Sequence, residues 1–62
     1  MNSKEIRQAT VAVLNDTTLD AKTTSNQLIR LQALATVDSA ETYWAVTAMM
    51  EPFIMVLREK NH

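Results

Sequence analysis

An all-α fold is what this sequence predicts. Three observations carry that expectation: none of the 62 residues is glycine, three segments each open on a helix-start signal, and apolar residues recur within them at helical spacing. Glycine supplies the positive-φ turns that tight hairpins and phosphate-cradling loops need. Its absence argues against a hairpin-built β domain and against nucleotide-binding loops alike. A chain this short buries only about 60% of its unfolded surface, so its own core is marginal. The expected architecture is therefore one domain over residues 1–62, a small three-helix bundle completed by oligomerisation.

The first helix is expected over about 3–14. Asn2-x-x-Glu5 reads as a capping box, with Asn2 or Ser3 as N-cap. Ile6, Ala9 or Thr10, Val13 and Leu14 then recur as one helix face. The β-branched residues Val11 and Val13 make a strand at Thr10–Leu14 the local alternative. Asn15-Asp16 closes the element, with Asn15 taking the left-handed C-terminal position where glycine is usual.

The second helix is expected over about 18–36, capped through Thr17-x-x-Asp20 or Thr24-x-x-Gln27. Residues 15–27 are polar and threonine-rich, so its first half reads as mobile or solvent-facing. Ala21, Leu28 and Ala35, with Thr24 and Leu31 between them, form a short heptad seam.

Asp38, with Glu41 three residues later, opens the third segment. An apolar stretch follows, interrupted by Pro52, the single proline. An interior proline removes one backbone hydrogen bond and costs about 3 kcal/mol unless the helix kinks or restarts. Two forms compete: a kinked helix over 39–60, or a split at Pro52 with the proline starting a new helix. Arg58 and Lys60 suit the negative end of either.

Function is bounded mostly by what is missing. The chain has no cysteine, which excludes disulfides and thiolate zinc sites, and its one histidine is the terminal His62. No metal, cofactor or catalytic residue is therefore expected. Ser3, Ser25 and Ser39 lack a base, and the pairs Asp16/Asp20 and Asp38/Glu41 are explained by capping. Glu51 reads as a rim residue beside the proline. Met1 is followed by a polar stretch with no apolar leader, so a cytoplasmic location is expected. The apolar run over 43–57 falls short of the roughly 20 residues a membrane span needs and contains Glu51-Pro52, so no membrane partner is expected.

That run carries the sharpest signal. Tyr43, Val46, Met50, Phe53 and Leu57 make one helical stripe, while Trp44, Ala48 and Met55 cover another face. Residues 53–57 are all apolar and cannot all point into one small core. The reading is a non-enzymatic protein-protein interaction module, self-associating through this helix and acting as a small accessory or regulatory factor. Its expected interface is Tyr43, Trp44, Met50, Phe53, Ile54 and Leu57, with Phe53 and Trp44 as anchors. The rival is a dimeric nucleic-acid-binding regulator, with a turn at residues 15–18 and Lys22, Gln27 and Arg30 on its reading helix. Six basic and seven acidic residues, net charge −1, supply no basic stripe for it.

Overall fold

The N-terminal capping box forms as its spacing requires. Asn2 Oδ1 accepts from the Glu5 N–H at 2.9 Å, and the Asn2 N–H donates to Glu5 Oε1 at 3.1 Å. In the computed structural model, which describes residues 1–60, this box opens α1 over Ser3–Asn15. The alternative strand at Thr10–Leu14 does not form. Thr10 is fully buried, and its Oγ1 donates to the Ile6 carbonyl at 2.8 Å, so the β-branched residue fits the helix by hiding its hydroxyl on the preceding turn. Asn15 does not take the left-handed position: among the described residues no non-glycine residue has positive φ. Asp16 closes α1 instead, with extended backbone and its N–H donating to the Val13 carbonyl at 3.2 Å.

The connection over residues 16–20 is held by aspartates at both ends. Asp16 Oδ1 accepts from the Thr18 N–H at 2.9 Å and from the Thr18 hydroxyl. Asp20 Oδ1 accepts from the Thr23 N–H at 2.7 Å and is the N-cap of α2, Ala21–Asp38. Neither Thr17 nor Thr24 caps this helix. Its start is therefore three residues later than the threonine spacing suggested. Its first half is helical and packs one face inward, with Thr24 and Leu28 buried, while Ala21, Lys22 and Asn26 face solvent.

A single residue separates α2 from α3, Ala40–Lys60. Ser39 is extended, at φ −172° and ψ 161°. Its N–H completes α2 by donating to the Ala35 carbonyl at 3.0 Å, and its carbonyl opens α3 by accepting from the Tyr43 N–H at 3.0 Å. Its Oγ accepts from the Thr42 N–H at 3.1 Å, which makes Ser39, and not Asp38, the cap. Asp38 remains helical and turns its carboxylate to the Thr42 hydroxyl at 2.6 Å. That hydroxyl also meets Ser3 Oγ at 2.9 Å, so the start of α1, the end of α2 and the start of α3 converge on one atom. With the far ends of α1 and α2 joined by five residues, the three helices run up, down and up.

The core lies along their shared axis. Ile6 comes from α1, Leu28, Leu31 and Ala35 from α2, and Val46 and Met50 from α3, with Thr10, Thr24 and Thr42 buried among them. The α2 seam is thus the heptad set read from the sequence, except that Ala21 is exposed in the first turn. Helix α3 continues through Pro52 without a split. Pro52 is exposed, so the carbonyl it leaves unpaired, that of Ala48, lies on the watered side of the helix.

Two outcomes follow. Because α3 is continuous, Pro52→Ala restores a helical hydrogen bond and should leave thermal stability unchanged or raised. A measured loss above about 1 kcal/mol would mean that the fixed proline angle starts a new helix. Asp16 and Asp20 have carboxyls held below their ordinary value of 3.8, Asp16 first by the Thr18 hydroxyl and Asp20 first by the Thr23 N–H. A depressed carboxylate stabilises the fold above its unfolded value and loses that contribution as pH falls below about 4. Melting temperature should therefore drop as the solution is acidified past pH 4. Asp20→Asn, which keeps the capping oxygen but cannot titrate, should flatten that acid dependence, while Asp20→Ala should lower melting at neutral pH.

Candidate functional site

Helix α3 is apolar on more sides than the bundle can cover. Thr42, Val46 and Met50 face inward and are buried. Tyr43, Met49, Phe53 and Ile54 are half-buried and pack against the core from its flanks. Trp44 is 65% exposed, Met55 53% and Val56 49%. Trp44 and Met55 point away from the other helices, while Val56 borders the α1 side beside Leu14; much of their apolar surface stays in water.

Phe53 stands between two apolar grooves. One, of about 250 Å³, lies between α2 and α3 and is lined by Leu28, Ile29, Gln32, Met50, Ile54 and Leu57 along with Phe53 itself. Its polar edge includes Gln32, whose Nε2 donates to Thr47 Oγ1 at 3.1 Å and ties the two helices midway. The other, of about 410 Å³, lies on the α1 side among Leu14, Met49, Pro52 and Val56. Both exist because α3 is the longest helix. Its last turns carry apolar side chains where α1 is ending and α2 is only beginning.

The six expected interface residues separate into two groups. Met50, Phe53, Ile54 and Leu57 share the α2–α3 groove, with Met50 forming its buried floor. Tyr43 packs on the core two turns earlier. Trp44 stands on the outer face, held edge-to-face against Tyr43 with ring centroids 5.3 Å apart and planes at 76°. Ile29 and Leu14, which complete the grooves, were not singled out from the sequence. Their signal is weak, because each reads as part of its own helix's apolar positions and its groove is completed by α3.

The residues of the nucleic-acid reading are placed differently. Lys22 and Arg30 are exposed and Gln27 is half-buried on α2. α1 and α2 lie side by side, since the ends opposite their loop meet at Thr42. This is an antiparallel hairpin, unlike the steep crossing of a helix-turn-helix.

Among the described residues no three His, Cys, Asp or Glu side chains cluster as metal ligands, and no helix is long and apolar enough to cross a membrane. His62 lies outside the described residues. The one ion pair among them, Arg7 to Glu41 at 3.7 Å, is exposed and links α1 to the first turn of α3. No family model, curated protein or solved structure matches the chain.

Phe53 and Trp44 should separate cleanly by mutation. Phe53→Ala removes the ring shared by both grooves and should cost about 2 kcal/mol, below the range of a fully buried phenylalanine. Trp44→Ala, measured at low protein concentration, should change stability by less than about 0.5 kcal/mol, because the indole faces water. Chemical denaturation of both variants reads the difference.

Proposed function

We propose that this chain is a non-enzymatic protein-protein interaction module that self-associates through α3 and serves as a small accessory or regulatory factor. The observation that carries this reading is the apolar surface left uncovered on α3, from Trp44 to Val56, with the paired grooves at Phe53. Soluble monomers rarely leave contiguous apolar surface of this kind unpartnered. A 62-residue chain without cysteine has no disulfide to reinforce its thin core, and a second subunit supplies the missing burial. Methionines at 49, 50 and 55 suit such a surface, since their unbranched side chains adapt to the shape placed against them.

Mass action gives the test. If folding and association are coupled, the melting temperature rises with protein concentration and sedimentation equilibrium gives a mass above that of one chain. A folded monomer at high micromolar concentration, melting at a temperature independent of concentration, would overturn self-association.

A further inference from the structure

The outward face of α3 carries a pattern that the core does not explain. Glu41, Trp44, Ala48, Glu51, Met55 and Arg58 are spaced alternately three and four residues apart, and all six are exposed. At about 100° per residue they fall in one sector of the helix, with Met55 directly opposite the buried Val46. Alternating three-and-four spacing is the seam of a two-helix coiled coil. The buried residues of α3 lie on its other side, toward α1 and α2, and the exposed Arg7–Glu41 ion pair reaches the seam at its first residue.

The order of residues along the seam is self-complementary when reversed. Counted outward from its midpoint between Met49 and Met50, Ala48 matches Glu51, Trp44 matches Met55, and Glu41 matches Arg58. We propose that α3 pairs antiparallel with α3 of a second copy of this chain along this stripe, deepening the self-association reading on which it rests. In that register each Trp44 lies over Met55 of the other copy, a sulfur-aromatic contact made twice. Each Glu41 meets Arg58 of the other copy, an ion pair made twice. Glu41 holds Arg7 at 3.7 Å, yet its side chain is 88% exposed and its carboxylate accepts a second cation. Ala48, the smallest residue of the stripe, lets the two backbones approach at the centre. A twofold contact of this kind is closed, so it yields a dimer and not a filament. A parallel pairing would set Glu41 on Glu41 and Arg58 on Arg58, and the like charges oppose it. The two Glu51 carboxylates near the axis are the cost of the antiparallel register.

The chain's only tryptophan lies in the stripe and reports on it. Raising the concentration of the intact chain should shift Trp44 emission to the blue in step with the mass measured by sedimentation. Glu41→Arg alone sets arginine against arginine, and Arg58→Glu alone sets glutamate against glutamate. Each should weaken association by on the order of tenfold, with the circular dichroism of the folded monomer retained. Mixing the two variants makes both pairs complementary again and should restore association. Glu51→Gln should tighten it. Association that leaves Trp44 emission unchanged and ignores the charge variants would overturn this register while leaving self-association intact, with the Phe53 grooves as its seat. A monomer at every concentration would overturn both.

Discussion

One hydroxyl proton decides how the three helices meet. Thr42 is almost fully buried, and its Oγ1 lies within hydrogen-bonding distance of Asp38, Ser39 and Ser3. A hydroxyl has one proton and two lone pairs, and a carboxylate can only accept. Thr42 is the donor toward both the Asp38 carboxylate and Ser3 Oγ, which share its one proton, and its oxygen can accept from the Ser39 hydroxyl. Each of the three contacts of the group reaches a different helix or joint. A valine of the same shape would fill the volume and satisfy none of them, leaving Ser3 and Ser39 to find other partners. Because this end is closed by directional bonds, the position of α3 against α1 and α2 is set here. Among the described residues the other end of α3 is held by apolar contact.

This asymmetry explains where the candidate interaction surface lies. The bundle is stitched by polar groups at the Thr42 end and tied once more midway, at Gln32 and Thr47. Among the described residues beyond Met50 there is no such tie. The apolar side chains there outnumber the neighbours that α1 and α2 offer, and the grooves beside Phe53 result. The outer stripe of α3 has a different origin. It is the face opposite the core, where a monomer would be expected to carry charge, yet it holds the chain's one indole and a methionine between its ionised ends.

The helices were legible in the sequence because their signals are local. A capping box at Asn2 and Glu5 needs no tertiary partner, and the seam from Thr24 to Ala35 is visible as a repeat. The joints were misplaced for a physical reason. Thr17, Thr24 and Asp38 have capping chemistry, as do Asp20 and Ser39, and sequence alone does not say which oxygen meets an unpaired N–H. The polar stretch ahead of Leu28 read as loose because threonine counts as polar. Thr24 and Thr42 are buried nonetheless, and Thr42 is so because its hydroxyl is bonded. The expected site was legible as a region and not as a surface. Trp44 and Phe53 both belong to the apolar run, but at helical spacing they lie on different faces. Ile29 and Leu14 join the site only through packing.

The one-residue joint at Ser39 bears on how the chain folds. Bringing two helices together costs entropy that grows with the length of chain between them. Between α2 and α3 that length is a single extended residue, whose backbone N–H and C=O are already engaged by the two helices. Between α1 and α2 it is five residues, and the closure from Ser3 to Thr42 spans 39. The α2–α3 hairpin is thus the pair with the lowest closure cost, and α1 is the helix whose docking completes the polar closure at Thr42.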